Sequence, residues 1–237
     1  MIKIISFKIC PFVQRVTAAL EAKNVPYEIE YISLKEPPDW FYDVSPNGQV
    51  PLLITESEAV LFESDAIIEY LDEVFPALQP ELNAEQRAME RAWSYQASKH
   101  YLVQCSAMQS ADAETLQMRR ANLNKAFVRA EAMLGKEPYF SGASIGNVDI
   151  AWLPLLHRAN IIEVETGFDF LEGNPKVKKW QMAMMQTGLA QRSVSSDFDN
   201  AFADFYLSEK TVLGKMTQGL SNESEPSLAA SDNECCG

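Results

Sequence analysis

Cys10-Pro11-Phe12 follows the short apolar run Ile4-Ile5 and opens a pattern that places Val13, Val16, Ala19 and Leu20 on one helical face. A strand that delivers a cysteine to a helix start can make a thiolate, the nucleophilic form of that side chain. The free N–H groups and the positive end of the helix dipole favour the anion there. Pro11 suits the first helical position, because its fixed φ fits the turn and its missing N–H would have had no intrahelical partner. The expected consequence is a Cys10 pKa below the ~8.5 of a free cysteine, with Arg15 one turn on adding to the field. The alternative is a small buried apolar cysteine without chemistry.

Other reactive residues are sparse. Cys105, Cys235 and Cys236 complete the cysteines, and with His100 and His157 they show no metal-ligand spacing, so no metal is expected. The vicinal pair near the end is a poor disulfide framework, which points to a reducing compartment. Position 13 is Val, so no Cys-x-x-Cys partner stands beside Cys10 and thiol exchange there would need an external thiol. Tyr95, His100, Tyr101, Gln104 and Met108 fall along one helix, where they line a cleft or, as such stripes more often do, belong to the core.

The elements that must position Cys10 are legible from periodicity. Ile2 and Ile4 open a strand, Tyr27, Ile29 and Tyr31 alternate with Glu28 and Glu30, and the intervening helix completes a β-α-β unit. After a loop with Pro37, Pro38, Pro46 and Gly48, the runs 51–54 and 59–62 read as a hairpin. Ile67, Ile68, Leu71, Val74 and Phe75 then form a helical face ended by Pro76. Residues 76–85 read as a linker. Beyond them 84–111, 113–134, 148–160 and 175–187 are all helical in pattern. The expected division is therefore an α/β domain over 1–77, an all-α domain over 86–210 and a disordered tail over 211–237. Asp149 fits the third position of a capping box, with Ile145 and Ile150 as a hydrophobic staple, which reads as a folding signal and not as a catalytic acid.

Composition sets limits on partners. With 237 residues, 47% of them hydrophobic, the chain can bury a sizeable core. A formal net charge of −13 argues against nucleic acid or an anionic membrane as the main partner. No apolar run approaches the ~20 residues of a membrane span and the first residues lack the flanks of a signal peptide, so a cytoplasmic location is expected.

Taken in order, Cys10-Pro11-Phe12, Leu34-Lys35 with Pro38-Asp39-Trp40-Phe41, Asn47-Gly48-Gln49-Val50-Pro51, and Glu63-Ser64 followed by Glu69-Tyr70-Leu71-Asp72-Glu73 resemble the cytosolic glutathione transferases, the omega (cysteine-type) class most closely. The resemblance is dense over 1–77 and architectural beyond. It implies a thioredoxin-like N-terminal domain that binds glutathione, an all-α C-terminal domain that supplies the second-substrate pocket, and a homodimer. It implies Cys10 as the catalytic residue and Phe12, Lys35, Val50, Pro51, Glu63 and Ser64 as glutathione-binding residues. Val50-Pro51 would be cis and would turn the Val50 backbone toward the cysteinyl part of glutathione, while Ser64 and Glu63 would receive its γ-glutamyl end. Pro37 stands where omega members usually carry a lysine, which implies either Lys35 as the substitute or weaker glutathione binding. The implied activity is glutathione-dependent thiol transfer on mixed disulfides or dehydroascorbate-like substrates. The alternative from another class is a noncatalytic adaptor of the same architecture, like the stringent starvation proteins, and a zeta-like isomerase would show a serine-rich turn where Lys8-Ile9-Cys10 stands.

Overall fold

The computed structural model describes residues 1–33 and 35–223, the side chains of 218–223 excepted. Strand β1 (Ile2–Ser6) leads through a tight turn into α1 (Pro11–Ala22), and β2 (Tyr27–Tyr31) returns parallel to β1, Ile2 facing Tyr27 and Ser6 facing Tyr31. A short helix α2 (Phe41–Val44) precedes β3 (Leu52–Ile54) and β4 (Val60–Phe62), and α3 (Ser64–Val74) follows. The sheet order is β2-β1-β3-β4, with β3 antiparallel to both neighbours. Ile4, Ile5, Leu52 and Leu53 are fully buried, consistent with central strands of a covered sheet. This is the thioredoxin-like arrangement expected of the first 77 residues.

The helical half begins with α4 (Ala84–Met108) and α5 (Ala113–Met133) and centres on α6 (Asn147–Thr166). Helices α7 (Pro175–Gln186), α8 (Leu189–Arg192), α9 (Phe198–Tyr206) and α10 (Val212–Glu223) complete it. The start of α4 is fixed by a capping box in which Asn83 Oδ1 accepts from the Gln86 N–H and Gln86 Oε1 accepts from the Asn83 N–H, each at 2.9 Å. Helix α6 is buried around nearly its whole circumference from Val148 to Ala159, with Asp149, His157 and Arg158 among the otherwise apolar residues, which suits its position packed against α4 on one side and α1 on another.

One sequence expectation is overturned. A disordered tail from 211 does not describe the chain, because α10 runs from 212 to 223. Its start is held by Thr211, whose hydroxyl accepts from the Gly214 N–H at 3.0 Å, and by the Val212 N–H donating to the Ser110 carbonyl at 2.9 Å. Leu213 is buried against the helical core. One buried leucine and a threonine cap are too small a signal to stand out in a polar stretch. Residues 224–237, including Cys235 and Cys236, lie outside the described residues.

Asp149 performs the expected capping role and more. Its carboxylate accepts from the Gly146 N–H at 2.8 Å, the Phe140 N–H at 2.9 Å and Trp180 Nε1 at 2.6 Å, tying α6 to the preceding loop and to α7. Burial nevertheless pushes its pKa up to about 6, the hydrogen bonds opposing that only in part. A carboxyl whose folded pKa exceeds its unfolded value stabilises the fold at low pH and loses that contribution as pH rises from ~4 to ~6. Asp149→Asn should therefore flatten the pH dependence of urea-measured stability across that window. Asp149→Ala, which strands three buried donors at ~1–3 kcal/mol each, should lower stability by at least about 3 kcal/mol. A wild-type slope retained in the asparagine variant would contradict this.

Candidate active site

The turn between β1 and α1 sets Cys10 at the N-cap of α1 with Pro11 as the first helical residue, as the sequence suggests. The Cys10 N–H donates to the Phe7 carbonyl at 3.0 Å and the Cys10 carbonyl accepts from the Gln14 N–H at 3.1 Å, so the backbone on both sides is fixed. Across the cleft the Val50-Pro51 bond is cis, and the Val50 carbonyl accepts from Cys10 Sγ at 3.9 Å.

Residues from four segments meet around that sulfur in a cleft of about 330 Å³, within the size range of small-molecule sites. Cys10 and Phe12 come from the α1 start, Ser45 and Asn47 to Pro51 from the loop before β3, Phe62 to Ser64 from the β4–α3 junction, and Leu102 from α4. Gly48 is held at φ +60° in that loop, and a Cβ there would approach the Tyr42 ring to 3.1 Å, so a side chain would be strained by the backbone and would need the ring to give way. Glu63 also has a positive φ, 65°, unusual for a non-glycine residue, at the N-cap of α3. Asn47 Nδ2 donates to its carboxylate at 3.3 Å. Ser64 is the first residue of α3 and lines the cleft, so the helix end, whose first N–H groups have no intrahelical partner, borders it.

Six of the seven residues singled out from the sequence are thus brought together: Cys10, Phe12, Val50, Pro51, Glu63 and Ser64. Lys35 is not among the cleft-lining residues. It is exposed, with its backbone N–H donating to Ser33 Oγ at 3.3 Å. Asn47, Gln49 and Leu102 line the cleft without having been assigned a role. Leu102 could have been found only as an apolar residue on the polar face of α4, where it is 65% exposed. On the same helix Tyr101, Gln104 and Met108 are core residues; the Gln104 amide donates to the Leu155 carbonyl at 2.9 Å. Tyr95 reaches Glu69 at 3.4 Å and His100 bonds the Gln96 carbonyl, so neither belongs to this cleft.

The electrostatics of Cys10 differ from expectation. Arg15 does not reinforce a thiolate: it is buried and paired with Asp65. The cation that acts on Cys10 is Arg158 of α6. Burial pushes the Cys10 thiol up to about 11; the backbone N–H groups of Val13 and Phe12 and the Arg158 charge oppose that rise, and nearby Cys105 adds to it. The helix-end effect read from the sequence is present, but desolvation outweighs it, and burial depth is not visible in a local motif. Among the described residues no cluster of three or more His, Cys, Asp or Glu side chains could hold a metal ion.

Comparison with known proteins adds two family matches. The family described as "Glutathione S-transferase, N-terminal domain" matches residues 9–74, and "Glutathione S-transferase, C-terminal domain" matches 110–180. The chain is 29% identical over 212 residues to a glutathione S-transferase omega-1 of Sus scrofa, covering 87% of this chain and 86% of that one. It is 31% identical over 192 residues to the Mus musculus omega-1 protein, covering 80% and 78%. Among solved structures, glutathione transferase Omega 3C from Trametes versicolor superposes with a TM-score of 0.70 at 25% identity, over 82% of this chain and 89% of that one.

A thiol disfavoured as an anion by burial should react with iodoacetamide progressively faster into the alkaline range, with a midpoint above the ~8.5 of an exposed cysteine. Mass spectrometry of the Cys10 peptide across pH measures this directly, and a midpoint below 8 would contradict the dominance of burial.

Proposed function

Since the chain belongs to the glutathione S-transferase family, with omega-class members as close relatives, we propose that it is a cysteine-type glutathione transferase that carries out thiol transfer through Cys10. The observation that carries this reading is the convergence of Cys10 Sγ, the Val50 carbonyl and the α3 start at Ser64 on one cleft. Such a cleft can pair the cysteinyl backbone of glutathione with Val50 and receive its γ-glutamyl carboxylate at Ser64, with Glu63 taking the ammonium. Lys35 stands apart from the cleft and is the weakest of the assigned contacts.

In the proposed cycle the Cys10 thiolate attacks the glutathionyl sulfur of a mixed disulfide, and the substrate thiolate leaves. A second glutathione thiolate then attacks the Cys10–glutathione disulfide, giving oxidised glutathione and regenerating Cys10. A partly buried cysteine whose pKa is raised is present less often as the thiolate and is a slow leaving group, so desolvation retards both its attack and its release by the second glutathione. Small disulfides and dehydroascorbate are the proposed substrates, and the reducing cytoplasm the proposed location. The second reading, a noncatalytic adaptor, draws support from the raised Cys10 thiol.

Two variants separate these readings. Cys10→Ala should stay folded and lose nearly all glutathione-dependent disulfide reduction; wild-type activity in that variant would remove Cys10 as the carrier, whereas absence of this activity from the unaltered chain would leave the adaptor as the better reading. Ser64→Ala should weaken glutathione binding about tenfold to a hundredfold in calorimetric titration, as expected for losing a hydrogen bond to a charged group, ~1.5–3 kcal/mol. Unchanged affinity would place the γ-glutamyl end elsewhere. We also propose a homodimer; light scattering should give twice the 26.6 kDa chain mass at micromolar concentration, and a single-chain mass would refute it.

A further inference from the structure

Arg158 projects from the middle of α6 and is 1% exposed. Its Nη2 donates to the Ile9 carbonyl at 3.0 Å, the peptide group immediately before Cys10. Its Nη1 donates to Gln14 Oε1 on α1 and to the Pro154 carbonyl at 3.1 Å. The guanidinium carbon lies 5.6 Å from the centroid of the Phe198 ring. Every one of these partners is neutral. No carboxylate among the described residues lies within ion-pair distance of Arg158, and its Nε has no acceptor. An arginine does not shed its proton in a protein, and a buried charge ordinarily has a counter-charge.

The groups around it narrow the choice. His157, next on the same helix and hydrogen-bonded to Gln14 at 2.9 Å, is pushed down to about 3 by burial and by Arg158, so it is neutral at physiological pH. Three groups are drawn by Arg158 toward an anionic form: Cys10, Tyr101 of α4 and Tyr206 of α9. Burial pushes both phenols up from an ordinary value already above that of a thiol, which leaves Cys10 to ionise first. The remaining charges near the cleft do not compete: Arg15 is matched by Asp65, Glu63 is itself an anion, and Cys105 opposes ionisation of Cys10.

We propose that Arg158 is a positioning residue for Cys10, pinning the Ile9 carbonyl and the turn that presents the sulfur while standing as the buried counter-charge to the thiolate. This rests on the thiol-transfer reading and adds to it a contribution from the helical domain. The Cys10 nucleophile is then built from both halves of the chain: α1 supplies the helix end and α6 the charge.

The test compares the pH profile of Cys10 alkylation, read by mass spectrometry of the Cys10 peptide, in wild type and in Arg158→Gln, Arg158→Met and Arg158→Lys proteins whose circular dichroism matches wild type. The neutral variants should shift the midpoint upward by about one unit, equivalent to ~tenfold slower alkylation at a fixed pH below it. The lysine variant should fall between them and wild type, because it keeps the charge and loses the planar fork that holds Ile9 and Gln14 together. An arginine that served only packing would leave the profile in place in any folded variant, and superposition on wild type overturns the proposal. If neither neutral variant folds, the lysine variant decides alone by the same criterion. Because the readout is alkylation and not turnover, superposed profiles remove only the role of Arg158. Thiol transfer retained by Cys10→Ala removes Cys10 as the carrier, and with it the thiol-transfer reading on which this proposal rests, whatever the profiles show.

Discussion

Helix α1 is buried on nearly every side, and the face it turns toward α6 and α8 decides where Cys10 sits. Gln14 bridges to His157 at 2.9 Å and accepts from Arg158, and the Thr17 hydroxyl donates to the Ser193 carbonyl at 2.6 Å. On the opposite side Arg15 is locked to Asp65 of α3. The Gln14 and Thr17 contacts lie in a largely apolar interior, where a misplaced donor or acceptor is left without water to satisfy it, so they fix one register between the α/β and helical halves, while the Arg15–Asp65 pair ties α1 to α3 within the α/β half. The N-terminus of α1, and with it the sulfur, inherits that precision.

Two opposed effects meet at the sulfur. The helix end offers N–H groups from Phe12 and Val13, which favour an anion, while burial against Phe12, Val50 and the helical half withdraws the solvation an anion needs. Desolvation wins for the thiol, while the cleft beside Cys10 leaves the sulfur reachable from one side. Such a site exchanges thiols at a rate set both by how often the thiolate forms and by how readily Cys10 leaves its mixed disulfide. The acidic surface of the chain does not enter this balance, since the charges that reach Cys10 come from buried residues.

Much of this architecture was legible in the sequence, and the failures have physical causes. The β-α-β unit, the hairpin and the long helices were readable because their apolar periodicities are strong and because Pro11, Pro76 and the Asp149 capping position mark ends. Of the six cleft residues only Cys10 stands out locally, as a cysteine before a proline at a helix start; Phe12, Val50, Pro51, Glu63 and Ser64 were singled out by the order and spacing of motifs that the family resemblance supplies, since a Val-Pro turn or a serine at a helix start is by itself common. Arg158 was not, since nothing in Leu156-His157-Arg158-Ala159 distinguishes a buried cation from an exposed one; its role depends on which face of α6 meets α1. The pairing of Arg15 with Asp65, fifty residues away, was hidden for the same reason. Lys35 failed in the other direction, because a lysine on a loop carries no sequence signal for whether it turns toward a cleft or toward solvent.

The most direct test of Cys10 as the covalent carrier is where glutathione becomes attached. Brief treatment of the native chain with oxidised glutathione, followed by peptide mass mapping, should find the glutathionyl adduct on the Cys10 peptide, removable by reduced glutathione. An adduct confined to Cys105, Cys235 or Cys236, with Cys10 unmodified, would contradict a mechanism centred on Cys10.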